Sequence, residues 1–214
     1  MSTLIIIGAG GHGRVVADCA QQINTYQEIY FLDDSFPERK NNSIWDIIGK
    51  IDKYTRYLDN ADFIVAFGNN KLRQQMLNTL INANAKIVSL IHPSAYVSPY
   101  STIEAGVVIF AQSVINIGST IKTGCIINTG ATIDHDCTIE AMVHISPGVN
   151  IAGGVTVGER SWVGIGASVI ESITLAPNTQ VAAGSSIIKA TQKNSLYAGV
   201  PAVFKKSIPS KNNL

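Results

Sequence analysis

Ile121-Lys122-Thr123-Gly124-Cys125-Ile126-Ile127-Asn128-Thr129-Gly130-Ala131-Thr132-Ile133-Asp134-His135-Asp136-Cys137-Thr138-Ile139 decides the fold, because an isoleucine returns every sixth residue, at Ile121, Ile127, Ile133 and Ile139. The period runs on in both directions. Stepping by six from Val97 gives Val97, Ile103, Ile109, Ile115, then the four above, then Ile145, Ile151, Val157, Val163, Val169, Leu175, Val181 and Ile187, all aliphatic. Four residues after each anchor the side chain is small or β-branched, as at Ser113, Ser119, Cys125, Ala131, Cys137, Val143 and Ser161. A six-residue unit is too short for a helical hairpin, and its β-branched anchors suit short strands. Three units then close an 18-residue turn, and the whole tract gives about five turns of a triangular parallel β-coil, with Gly106, Gly118, Gly124, Gly130, Gly148 and Gly158 near its corners.

The tract from Val97 to Ile187 holds eight of the chain's charged residues and the rest of the 214-residue chain holds 23. Three long walls cannot be solvated so sparsely, so one wall is expected to be covered by another copy, most simply in a cyclic trimer. The chain as a whole is 46% hydrophobic and 14% charged with net charge +1, which excludes a disordered chain and a basic nucleic-acid-binding stripe. No run approaches the roughly 18 apolar residues of a spanning helix, so the expectation is a cytoplasmic protein without a membrane span. Cys19, Cys125 and Cys137 form no C-x-x-C pair and read as reduced packing residues, with no metal cage.

Residues 1–92 read as a different domain, joined to the coil at 93–214. An apolar strand from Thr3 to Gly8 runs into Gly8-Ala9-Gly10-Gly11-His12-Gly13, a G-x-G-x-x-G pattern ahead of an amphipathic helix from Arg14 to Gln22. Strands follow at Glu28 to Leu32, ending in Asp33-Asp34, at Asp62 to Ala66, ending in Gly68-Asn69-Asn70, and at Lys86 to Ile91, with a helix from Lys71 to Asn82. This alternation predicts a small Rossmann-like parallel α/β sheet that binds a ligand at the carboxyl ends of its strands. The glycine pattern alone is equally that of a tight strand-to-helix turn. Its amides suit a pyrophosphate, and Asp33 stands where such domains place a ribose acid. Ninety residues are too few for a nicotinamide dinucleotide, so a sugar nucleotide fits better.

The hexapeptides, the G-A-G-G-H-G start, Leu32-Asp33-Asp34, Gly68-Asn69-Asn70 and Ala198-Gly199-Val200-Pro201-Ala202 together resemble the bacterial nucleotide-sugar acetyltransferases, including the UDP-4-amino-sugar N-acetyltransferases of bacillosamine synthesis and sialic acid O-acetyltransferases. The resemblance covers nearly the whole chain. It implies a left-handed β-helix and transfer of an acetyl group from acetyl-coenzyme A to the amine of a nucleotide-linked sugar, with UDP-4-amino-4,6-dideoxy-N-acetylglucosamine as the foremost acceptor. It also implies a homotrimer with active sites between subunits. It assigns His135 as general base, Asp136 as the acid that raises its basicity, and His144, Ile165 and Ala183 as acetyl-coenzyme A contacts. Gly10, Gly11, His12, Asp33, Asp34 and Gly68 match its nucleotide-sugar contacts, and Asn128 is a further candidate for the sugar. Asp136 replaces a glutamate of the bacillosamine enzyme and Ala183 a glycine. Other readings are O-acetylation of a sialic-acid-like sugar and a noncatalytic sugar-nucleotide-binding trimer.

The residues add two points of their own. A neutral histidine suits proton removal from an attacking amine near neutral pH, and flanking carboxylates strengthen it as a base. Ile165 and Ala183 differ by one full turn and should stack on one wall, whereas His135 and His144 differ by half a turn and should face different sides. Serving one reaction would then require His135 of one subunit to meet His144, Ile165 and Ala183 of the next.

Overall fold

The computed structural model describes residues 2–208, so Met1 and residues 209–214, the outer ends of the two assigned domains, lie outside the described residues. Two compact units divide between Pro93 and Ser94.

In the first unit β1 (Thr3–Ile7) lies between β2 (Glu28–Leu32) and β5 (Ala61–Val65), both parallel to it. A strand covered on both faces and flanked by neighbours must be apolar throughout, and Leu4, Ile5, Ile6 and Ile7 are fully buried. Ile7 pairs with both Leu32 and Val65, so the carboxyl ends of the three strands share one edge of the sheet. Helix α1 (Gly11–Ile23) starts three residues before the expected Arg14. Glycine costs little in a first turn, where its amide points outward anyway, and the Arg14 N–H already donates to Gly10 at 3.1 Å. Helix α2 (Asn70–Asn82) is capped by Asn69, whose Oδ1 accepts from the N–H groups of Lys71 and Leu72.

Three features of this unit depart from expectation. A short hairpin of β3 (Asn41–Asn42) and β4 (Trp45–Gly49) widens the sheet to the order β3-β4-β2-β1-β5-β6, with β6 at Lys86–Ile87. A 3-10 helix spans Ile51–Tyr57. The strand expected from Lys86 to Ile91 is two pieces, β6 and a separate pair at Leu90–Ile91.

The second unit is a parallel β-helix with two-residue strands on three walls. The first wall stacks Val108–Ile109, Ile126–Ile127, His144–Ile145, Trp162–Val163 and Thr179–Val181. The second stacks Tyr96–Val97, Val114–Ile115, Thr132–Ile133, Asn150–Ile151, Ser168–Val169 and Ser186–Ile187. The third stacks Thr102–Ile103, Thr120–Ile121, Thr138–Ile139, Thr156–Val157 and Thr174–Leu175. Partners along a wall are eighteen residues apart, as in Ile109, Ile127, Ile145 and Val163.

The second residue of each strand points inward and forms the core together with the small residues four positions on, such as Cys125, Ala131, Cys137 and Val143. Each fully buried aliphatic anchor contributes about 1.5–3 kcal/mol. Backbone bonds tie coil to coil, with Ile126 N–H donating to Val143 at 2.9 Å and His144 N–H to Ser161 at 3.0 Å. From Ala105–Gly106 onward each corner is a two-residue turn whose second residue has positive φ, whether glycine, as at Gly118 and Gly166, or not, as at Asp136 and Arg160. Gly158 is no corner residue. It precedes the Glu159–Arg160 turn, and a Cβ there would meet the Pro177 backbone nitrogen at 2.5 Å, so close coil packing fixes the glycine. A hairpin of Ser195–Gly199 and Ala202–Ser207 extends the first wall beyond Thr179–Val181.

Candidate active site

His135 and Asp136 form the corner between the second and third walls, following Thr132–Ile133 and preceding Thr138–Ile139. Asp136 takes the positive-φ position (58°), which lets its carboxylate fold back on the preceding ring, with His135 Nδ1 2.8 Å from Asp136 Oδ2. A carboxylate can only accept, so the neutral ring carries its proton on Nδ1 and leaves the Nε2 lone pair bare. The His135 side chain is 57% exposed, open to a reacting partner. Asp134 adds a second anchor: its Oδ1 accepts from the His135 N–H and from Asn116 Nδ2, both at 2.8 Å. The Asp136 hydrogen bond and the negative charge of Asp134 together raise the His135 pKa above its usual value against a smaller opposing effect of desolvation. The hydrogen bond from Asn116, then that from the His135 amide, holds Asp134 below the ordinary carboxylate range.

His144 belongs to a separate cluster on the first wall. Its ring stacks parallel to Trp162, one coil on, with centroids 5.7 Å apart and planes 3° from parallel, while Trp162 Nε1 donates to Ser146 Oγ at 2.8 Å. Asn128 Oδ1 accepts from the Thr129 N–H at 2.9 Å, which turns its amide nitrogen toward His144 Nε2 at 3.2 Å. His144 Nε2 is therefore the acceptor in that contact. Asn128 thus lies beside His144 and not beside His135. Ile165 and Ala183 occupy the corner between the first and second walls, one above the other, so they stack along an edge and not on a wall as expected. Gly184 N–H donates to the Ile165 carbonyl at 2.8 Å. Among the described residues nothing accepts from the N–H of Ile165 or Ala183, whereas the equivalent N–H of Thr129 is capped by Asn128 and that of His135 by Asp134. Exposed corner amides of this kind suit the amide carbonyls of an extended thioester ligand. Within one chain His135 lies on the corner opposite the wall that bears His144.

The nucleotide-sugar candidates gather at the shared strand edge of the first unit. Asp33 Oδ2 accepts from the Ala9 N–H at 2.7 Å, and its Oδ1 accepts from the Ser35 N–H and Oγ at 2.9 and 2.6 Å. Desolvation opposes ionisation here, but these bonds and the Arg39 charge outweigh it and hold Asp33 below the ordinary range. Arg39 Nη1 and Asn42 Nδ2 both donate to the Ala9 carbonyl, at 2.7 and 3.0 Å, and Asn42 Nδ2 also donates to Gly10. Asp33 therefore braces the glycine-rich turn, and sequence reasoning missed its helpers, Arg39 just before the unforeseen hairpin and Asn42 on it. Asp34 is exposed, with Oδ1 accepting from the Ile51 N–H at 3.2 Å. Burial, aided by the charge of Arg73, lowers the His12 pKa to about 4, so the ring is neutral at physiological pH.

The glycines separate into two kinds. A Cβ on Gly8, whose φ is 104°, would meet the Phe67 ring at 2.6 Å, and one on Gly13 would strike the Gly8 carbonyl, so backbone conformation and close packing hold Gly8 and close strand–helix packing holds Gly13. At Gly10, Gly11 and Gly68 a Cβ would meet nothing within 4 Å. The fold does not need these three to be glycine, and the open space lets a ligand approach their backbone. No group of His, Cys, Asp and Glu able to hold a metal occurs among the described residues, and no described helix is long and apolar enough to cross a membrane.

Comparison with known proteins matches residues 3–80 to the PglD N-terminal domain. UDP-N-acetylbacillosamine N-acetyltransferase of Bacillus subtilis is 35% identical over 114 residues, 52% of this chain and 52% of that protein, so the chain spans about half the length of that curated relative. The acetyltransferase domain of PglB from Neisseria gonorrhoeae in complex with acetyl coenzyme A superposes with TM-score 0.89 at 39% identity, over 95% of this chain and 98% of that one. A histidine-to-alanine variant of GDP-perosamine N-acetyltransferase from Caulobacter crescentus, in complex with CoA and GDP-perosamine, gives TM-score 0.90 at 34% identity, over 96% and 97%. Fold and corners thus define a left-handed β-helix protein behind a small parallel-sheet unit. The chain belongs to the family of nucleotide-sugar N-acetyltransferases that includes the PglB acetyltransferase domain and GDP-perosamine N-acetyltransferase.

Proposed function

We propose that this protein transfers the acetyl group of acetyl-coenzyme A to the amino group of a nucleotide-linked amino sugar, with His135 as general base. The observation that carries the reading is the exposed His135 ring held by Asp136 at 2.8 Å with Nε2 left bare. The amine nitrogen attacks the thioester carbonyl and His135 Nε2 takes its proton. The tetrahedral adduct then expels the coenzyme thiolate, which takes that proton back, leaving an amide and a free thiol. His144 and the corner amides of Ile165 and Ala183 hold the thioester, and Asn128 fixes the His144 ring beside it. Gly10, Gly11, Gly68, His12, Asp33 and Asp34 hold the nucleotide part of the acceptor.

The acceptor in this reading is UDP-4-amino-4,6-dideoxy-N-acetylglucosamine, supported by the match of residues 3–80 and by the Bacillus subtilis relative. His135 and His144 face away from each other on one β-helix, so the reading includes a trimer in which His135 of one protomer serves the thioester held by its neighbour. Exposed apolar residues on the β-helix, among them Ile117, Ile165 and Ile188, supply surface for that contact.

The test is thiol release from acetyl-coenzyme A across a panel of UDP-, GDP-, dTDP- and CMP-amino sugars. Turnover greatest with the UDP-4-amino sugar is expected. Preference for a GDP-linked amine would replace that acceptor, and no release with any amino-sugar nucleotide overturns the reading. Mixed oligomers of His135→Ala and His144→Ala chains should regain activity, and their failure to do so, with mixing shown, removes the shared site.

A further inference from the structure

We propose that Gly153 is a positioning residue, its missing side chain forming the seat on which the His135 imidazole rests against Asp136. This rests on the reading of His135 as the base. Gly153 lies eighteen residues after His135, at the same corner one coil further on. A Cβ at Gly153 would lie 2.5 Å from His135 Nε2, 2.6 Å from Cε1 and 3.0 Å from Cδ2, so the ring covers the place a side chain would fill. No positive φ explains this glycine: that demand falls on its neighbour Gly154, at 69°. Backbone conformation leaves residue 153 free to be alanine, and the three atoms nearest the added Cβ all belong to the imidazole.

The same device acts on the other half of the pair. Gly118 lies eighteen residues before Asp136, and a Cβ there would overlap Asp136 Oδ1. The coil on one side makes room for the carboxylate and the coil on the other makes room for the ring. Gly118 has φ of 77°, so replacing it would also strain the backbone, and Gly153 is the cleaner probe.

The obstructing group is the far end of an exposed, rotatable side chain. Gly153→Ala should therefore be relieved by the ring swinging off Asp136, and not by a shift of the coil. The expected result is a fall in kcat of about tenfold to a hundredfold, because a base displaced by an ångström loses its alignment. The KM for acetyl-coenzyme A should stay within about twofold. By NMR the His135 titration should move down toward that of a free histidine, about 6.5, as the Asp136 contact is lost. An unmoved titration, or kcat within twofold of the parent while His135→Asn is inactive, overturns the seat. Turnover retained by His135→Asn overturns the base reading, and the NMR titration then still decides the seat. Should Gly153→Ala fold poorly, the His135→Ala/Gly153→Ala double variant gives a second measure. With the ring gone the added methyl has room, so the double variant should be as stable as His135→Ala, and an undiminished penalty refutes the contact.

Discussion

The two units build their candidate sites in opposite ways. In the first, strands distant in sequence deliver three loops to one sheet edge, and long-range side chains brace them: Asp33 reaches Ala9 across 24 residues and Asn42 reaches it across 33. In the second, the candidate side chains are placed by the next residue along the corner or by a residue one coil away, as in His135 with Asp136 and His144 with Trp162. A loop site depends on a few specific braces, whereas a coil site depends on the uniformity of the stack. Substitutions should therefore do different damage in the two units, affecting stability where packing glycines are touched and chemistry where corner residues are.

The largest effect expected is that of His135→Ala, a loss of about 10²- to 10⁴-fold in turnover with sugar-nucleotide affinity unchanged by calorimetry. Weakened nucleotide binding in that variant would break the division of labour. In the first unit, Gly13→Ala forces a methyl against the Gly8 carbonyl and should cost about 1–3 kcal/mol in a denaturant titration. Gly10→Ala should leave stability within about 0.5 kcal/mol while Gly10→Val weakens nucleotide binding, since the space there is open.

Asp136→Asn should lower kcat/KM by about tenfold and move the acid limb of its pH profile. The sign follows from the raised pKa of His135: below that pKa the ring is protonated and cannot act, so removing the carboxylate's pull shifts the limb to lower pH. The smaller effect at this corner is on stability: Asp136→Gly relieves a non-glycine residue at φ 58° and should stabilise the β-helix by up to about 1 kcal/mol, while its turnover falls at least as far as that of Asp136→Asn. A loss of stability there would show that the corner is fixed by more than its backbone.

The coil was legible because a strict six-residue period leaves one reading for the buried positions from Val97 to Ile187. His135 and Asp136 were picked out by their match to the family's histidine–acid turn, and three of the tract's six acidic residues, Asp134, Asp136 and Glu140, crowd that ring in the sequence. The hairpin at Asn41–Gly49 was not legible: β3 has only two residues, and Ser43 takes a positive φ of 63° where glycine is usual, which hides the turn. Arg39 and Asn42 were missed with it. Trp162 and Gly153 each lie one turn past a singled-out histidine, so the period pointed to them, but spacing does not say which way a ring leans. The gap between Ile87 and Leu90 shows the other limit, since an apolar run reads the same whether one strand or two short pieces use it.

Eighteen residues per coil also sets what lengths of insertion or deletion this molecule can absorb. Adding eighteen between the His144 and Trp162 strands lengthens the stack by one storey and leaves each later residue over the same wall. Adding six turns everything downstream by one face, carrying Ile165 and Ala183 round the prism away from His144 even though every hexapeptide remains intact. Change of length in this protein is thus quantised in threes of its repeat.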